Sequence, residues 1–240
     1  MQVRRTTLCL ATIIFFFWSV YDLNMASGQS SELIVSERLY SENYRRATVA
    51  QNAGDYSSAE ESHRTNLTLI KSTPGMLPEF RVQARYNLAS AFTNQGKLDD
   101  AESILREAQG ILDANPQIHR IIKAYLLLNW GKLKGKQHKF KVAEEMHEEG
   151  LAFLENTTGP SDAATAGAQI SLAQIQVQLG KLKKAEGNYR HGLRVLSELG
   201  IPVSNPLYVE AIDAYEALLV RLGIQQVRLQ LLVSAPPNNP

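Results

Sequence analysis

Across residues 81–95 the apolar side chains Val82, Tyr86, Ala89 and Phe92 recur at spacings of four and three, which predicts a helix with one buried face. Gly96 follows, and a helix end readily takes a left-handed conformation at glycine. A second apolar stripe runs through Ala101, Ile104, Leu105, Ala108, Ile111 and Leu112. It is opened by Asp99 and Asp100, whose charges suit the positive end of a helix dipole. It closes at Asn115-Pro116, because proline disfavours helical geometry in the residue before it. The segment therefore predicts two helices joined by a tight turn.

This pattern returns along the chain. Ala-Glu stands at Ala59-Glu60, Ala101-Glu102, Ala143-Glu144 and Ala185-Glu186, each pair 42 residues after the last. Five residues before each alanine stand Gly54, Gly96, His138 and Gly180, and Pro74, Pro116, Pro160 and Pro202 recur at intervals of 42, 44 and 42. A fixed period of this size predicts stacked units that bury their core between neighbours. The recurring small residues are packing requirements, since Ala89 and Ala101 let two helices approach where leucine would hold them apart.

Some copies depart from the pattern. The third has Gly131 in place of alanine, Lys134 at an aromatic position and His138 at the turn glycine; the first has Ala50 at the aromatic position and His63 in its second helix. Near the C-terminus, residues 208–222 form a further first helix, Gly223 comes one residue late, and residues 224–233 have no Ala-Glu. That last hairpin reads as a cap, because a terminal unit has one side in water. Residues 234–240 are a polar, proline-rich tail expected to be disordered.

The residues Leu88-Ala89, Phe92, Gly96 and Ala101, and again Leu172-Ala173, Gly180 and Ala185, resemble the tetratricopeptide repeat. The 42-residue period and the turn Gly159-Pro160-Ser161-Asp162 are similar to the longer repeats of kinesin light chains. Asn87 and Asn129, ahead of Leu88 and Trp130, match the Asn-Leu-Ala type motif of that subfamily. The resemblance covers residues 37–223. It implies an all-α fold, a right-handed α-solenoid of antiparallel helical hairpins, with four hairpins and a capping hairpin over residues 37–233. It also implies that the first helices line a concave groove. The groove positions fall on Arg45, Thr48 and Asn52, on Asn87, Ser90 and Asn94, on Asn129, Lys132 and Lys136, and on Ser171, Gln174 and Gln178. Asparagine donates and accepts at once, as gripping an extended peptide backbone requires, so Asn87 and Asn129 are the foremost contact candidates. The alternative is that they bond within their own helices or to water.

The first residues read as an address. Arg4 and Arg5 precede an apolar run from Leu8 to Val20, and Ala26-Ser27-Gly28 supplies the small residues of a cleavage site. Residues 1–28 are expected to be a signal peptide cleaved before Gln29, with cleavage after Ala26 as the near alternative and an uncleaved membrane anchor as the rival. Residues 29–36 are expected to be a linker. Either form exports the array, to the periplasm or outside the cell, or holds it on a membrane through residues 1–28 alone. The sequons at Asn66 and Asn156 matter only in a eukaryotic secretory route.

Charge and chemistry narrow the function. Without Arg4, Arg5 and Asp22 the chain carries 23 basic and 23 acidic residues, so no global field favours nucleic acid or an anionic membrane. The single cysteine, Cys9, excludes disulfides and thiolate metal sites in the array. No nucleotide loop, nucleophile elbow or dinucleotide fingerprint occurs, and His147 within Glu144-Glu145-Met146-His147-Glu148-Glu149 lacks the second histidine of a zinc helix. His147 is expected on a solvated helix face or, like His63, in packing between repeats. The lysines at 132, 134, 136, 139 and 141 are expected to solubilise an irregular turn. No catalytic residue, metal or cofactor is expected. The sequence thus points to an exported, non-catalytic adaptor that binds a peptide segment of a partner protein. A self-associating structural protein is the alternative, and an enzyme a distant third.

Overall fold

The computed structural model describes residues 31–224, which are helical with no strand among them. Helices α1 (Ser31–Asn52) and α2 (Tyr56–Ser72) form one hairpin, and α3 (Pro78–Asn94) and α4 (Leu98–Ala114) the next. Helices α5 (Arg120–Lys136) and α6 (Phe140–Thr157), then α7 (Ala163–Gln178) and α8 (Leu182–Glu198), repeat the arrangement. A further first helix, α9 (Pro206–Arg221), ends the described chain. Each helix packs on its successor, and first helices also touch one another, α3 with α5, α5 with α7 and α7 with α9. The architecture is an all-α solenoid. Residues 1–28, 225–233 and 234–240, expected as signal or anchor, most of a second capping helix, and tail, lie outside the described residues.

Helix α1 starts earlier than the expected linker allows. Residues 31–36 are its first turns, because the buried stripe continues upstream of Tyr40: Leu33 packs on the Tyr40–Phe80 cluster, and Ser36 is buried. Thr73 donates from its hydroxyl to Ser36 Oγ at 3.0 Å, which fastens this first turn to the end of α2.

The hairpin turns share one geometry. In each, a backbone N–H just past the turn reaches back across it, as from Lys97 to Phe92 O at 2.9 Å and from Lys139 to Lys134 O at 2.8 Å. That closure needs a left-handed residue, supplied by Gly54, Gly96 and Gly180 at φ of 76°, 77° and 72°. In the third unit His138 adopts φ 59°, its ring edge-on to Phe140. The hairpin forms without its glycine, at the expense of a strained side-chain position. His138→Gly is expected to stabilise the fold by about 0.5–1 kcal/mol, measured by urea denaturation, because the left-handed penalty of about 1–2 kcal/mol is only partly offset by glycine's backbone entropy.

The alanines of the repeat are fully enclosed. Ala47, Ala59, Ala89, Ala101, Ala143, Ala173 and Ala185 are all 0% exposed. At Gly131 an added Cβ would stand 2.7 Å from His147 Cδ2, so the departure from alanine makes room for the imidazole. His147 is accordingly 3% exposed and is not on a solvated face; His63, its counterpart one repeat pair earlier, is 2% exposed. The helix face reads as acidic in sequence, but the ring falls on the one position of that turn that meets α5.

The glutamate of Ala-Glu ties each unit to the next. Glu60 accepts from Gln95 Nε2 at 2.9 Å and Lys97 Nζ at 2.7 Å. Glu102 accepts from Gln137 Nε2 at 2.9 Å and Lys134 Nζ at 3.2 Å. Glu144 accepts from Gln176 Nε2 at 3.4 Å and from Lys181 Nζ, and Glu186 from the Tyr215 hydroxyl at 3.0 Å. Burial pushes the Glu60 carboxyl up, but hydrogen bonds from Lys97, Arg64 and Gln95 outweigh it and hold the pKa at about 2. Gln137, Arg106 and Lys134 hold Glu102 at about 2 as well.

The last unit has slipped by one residue. Ala84, Leu126 and Ala168, each 42 residues apart, are buried under the preceding unit, and the next buried residue of that row is Ala211, 43 residues after Ala168. Gly223 follows Gly180 by the same 43, which accounts for its lateness.

Candidate functional site

First helices touch one another along the stack, whereas each second helix packs chiefly on the first helix of its own hairpin and secondarily on that of the next unit, so the first helices form the more closely spaced layer. The side with the tighter spacing is the inner one of a curved stack. The residues expected to line it occupy one row of that layer. Arg45, Asn52, Lys136 and Gln178 are exposed, and Thr48, Asn87, Ser90, Asn94, Asn129, Lys132, Ser171 and Gln174 are half-buried.

A polar chain crosses the floor. Gln51 Nε2 donates to Ser90 Oγ at 3.1 Å and Lys132 Nζ donates to the same oxygen at 3.2 Å, which links α1, α3 and α5. Burial, with Lys136 nearby, pulls the Lys132 amine down to about 8, and Glu210 of α9 acts in the opposite sense. The amine is still mostly charged near neutrality and forms no ion pair among the described residues. Glu210 offsets this shielded charge only in part.

The two foremost asparagines differ. Asn129 Nδ2 donates to Tyr125 O at 2.8 Å in its own helix, so its donor is already engaged. Asn87 Nδ2 is enclosed beside the Tyr40 phenol. At the far end Gln174 Nε2 donates to Glu210 Oε1 at 3.4 Å. Arg45, Asn52, Asn94, Lys136 and Gln178 form no side-chain hydrogen bond among the described residues, so their polar groups remain available to a partner.

Reasoning from sequence missed three contributors. Gln51 stands 39 residues before Ser90, itself an expected position of the row, with nothing to mark the two as bonded. Glu210 was hidden by the one-residue slip of the last unit. A tyrosine cluster lies behind the row: Tyr86 and Tyr125 stack at 6.0 Å, and burial raises the phenols of Tyr40 and Tyr86 well above their ordinary range. The lysine run is split by the fold. Lys134 lies 5.1 Å over the Trp130 ring and binds Glu102, Lys132 donates to Ser90, and Lys136, Lys139 and Lys141 are exposed. Asn66, in the first sequon, is 0% exposed and bonded to Tyr40 O and Asn43, so the folded chain offers no glycan acceptor there. Among the described residues no group of three or more His, Cys, Asp or Glu is placed to hold a metal ion, and no helix is long and apolar enough to cross a membrane.

Comparison with known proteins agrees with this geometry. One tetratricopeptide-repeat family model matches residues 122–198 and another matches residues 81–108. The fold is similar to BtubC (BKLC) from P. vanneervenii, with a TM-score of 0.54 and 18% identity over 88% of this chain and 96% of that one. It is also similar to the nearly identical kinesin-light-chain TPR-like repeats of Podosopora anserina, with a TM-score of 0.54 and 15% identity over 80% of this chain and 90% of that one. No curated protein sequence matches the chain. Arrays of this kind generally serve as scaffolds for protein–protein interaction. Tetratricopeptide-repeat models thus match residues 81–108 and 122–198 of the chain, and its fold is similar to that of kinesin-light-chain TPR-like repeats.

Proposed function

We propose that this protein is an exported, non-catalytic adaptor whose groove grips an extended peptide segment of a partner protein. The observation that carries the reading is the Lys132 amine: shielded, cationic, bonded only to a neutral hydroxyl, and set in a row of half-buried amides and hydroxyls. A peptide lying along that row would meet donors and acceptors at each unit, with Lys132 and Lys136 at its middle and Glu210 at its end. Extended inner surfaces of solenoids suit such ligands. Asn94, Gln178 and Arg45 are the further contacts, and Asn129 takes part once its bond to Tyr125 O is exchanged for one to the ligand. Export rests on the apolar segment preceded by Arg4 and Arg5.

The test is capture of partners from an envelope extract with the chain as bait. A partner retained by the wild type and by Lys141→Glu, but lost with Lys132→Glu, supports the groove; helix content by circular dichroism is compared in parallel. A partner that survives Lys132→Glu places the contact elsewhere on the array.

A further inference from the structure

A second concavity lies outside the groove, between the first half of α3 and the last turns of α4. Its volume is about 550 Å³, and its lining includes Met76 and Ile111 together with Arg81, Arg85, Glu107 and Gly110. That size falls in the range of small-molecule sites. Arg85 is partly engaged: its Nε donates to Glu107 Oε2 at 3.0 Å and its Nη1 to Arg81 O at 3.0 Å. Arg81 forms no ion pair among the described residues, so the lining carries one guanidinium without a counter-charge. Its planar fork matches a carboxylate through two parallel hydrogen bonds.

Gly110 is the independent observation. It lies inside α4, where glycine weakens a helix, yet an added Cβ would meet nothing within 4 Å. No close helix crossing demands it. Its counterparts 42 residues before, and 42 and 84 after, are Thr68, Ala152 and Arg194, so the other units fill this place with a side chain. What the glycine preserves is the open volume beside the arginines.

We propose that this crevice binds a small organic carboxylate bearing an aliphatic arm, its carboxylate on Arg81 and its arm along Met76 and Ile111. The Asn115 amide nitrogen is held by Ile111 O at 2.7 Å and is not part of the recognition. The proposal is independent of the groove.

The test titrates 4-methylpentanoate, and its methyl ester as the neutral analogue, into the full chain by NMR. Saturable binding of the acid and none of the ester is expected, with Arg81→Gln weakening the acid at least about tenfold. Gly110→Leu should abolish binding while raising Tm by about 2–4 °C, so that the loss is not one of folding. Gly187→Leu is the control: that helix-interior glycine is equally free of neighbours and lines no part of the crevice, so Tm should rise and binding persist. Absence of saturable binding to the wild type, equal binding of the ester, or unchanged binding by Gly110→Leu overturns the proposal.

Discussion

Acidification from about pH 7 to about pH 4 is expected to remove several kcal/mol of stability, and two buried histidines are the cause. His63 and His147 are 2% and 3% exposed, and their Nδ1 atoms make no hydrogen bond among the described residues. Burial pulls both to a pKa of about 4, with the Lys132 charge adding to the effect at His147. In the unfolded chain the same rings titrate near about 6.5. Below that pH the unfolded state binds protons that the folded state refuses, so stability falls as protons are added. The contribution is complete above about 6.5 and is lost as the pH falls toward about 4. At about 1.4 kcal/mol per pKa unit each ring accounts for at most about 3 kcal/mol. Glu60 and Glu102 act in a lower window: their depressed pKa values stabilise the fold above the ordinary carboxylate range, and that contribution is lost as the pH falls toward about 2. Urea denaturation at several pH values checks the expectation. The intervening repeat carries Leu105 at the same place, so His63→Leu with His147→Leu should flatten the profile between about pH 4.5 and about pH 7. An unchanged slope in that double variant would remove the histidines from the explanation.

The second large effect concerns Glu144, the most deeply buried of the inter-repeat glutamates. Its side chain is 6% exposed, and it accepts from Gln176, itself buried, and from Lys181. Glu144→Ala leaves the Gln176 amide without its acceptor and opens a void beside it, while Lys181 turns to water. The expected loss is about 2–3 kcal/mol, because an unpaired buried donor forfeits its full desolvation cost. The loss falls on the interface between the third and fourth units, and a solenoid is stabilised largely by such nearest-neighbour interfaces. The urea transition should therefore broaden as well as shift. Glu144→Gln, which keeps an acceptor, should lose less than half as much. A change below about 0.5 kcal/mol for Glu144→Ala would mean that the latch contributes no more than an exposed ion pair.

Much of the fold was legible because packing imposes periodicity. The Val82–Tyr86–Ala89–Phe92 stripe, the alanines of Ala-Glu and the left-handed glycines report geometry that every unit must satisfy, and the helices fall where those residues place them. The glutamate beside each alanine was also visible, but its role was not. It acts on residues 29 to 37 positions ahead, in the next unit, and no local pattern encodes that reach. Of the two readings of His147, the solvated face failed for a related reason: a run of acids suggests solvent, and only the missing methyl at Gly131 shows where the ring goes. The start of α1 was missed because Leu33 and Ser36 continue the stripe too thinly to stand out from a polar segment. The Gln51–Ser90–Lys132 chain and the engaged state of Asn129 depend on rotamers, which the repeat register does not encode.

The central claim is that a partner peptide lies on the first-helix face. Its most direct measurement places a photo-crosslinking amino acid at Asn94, in the groove row, or at Glu148, exposed on the second helix of the third unit. With the captured partner present, the account predicts an adduct from position 94 and none from position 148. An adduct from 148 alone would contradict it and place recognition on the outer face of the solenoid.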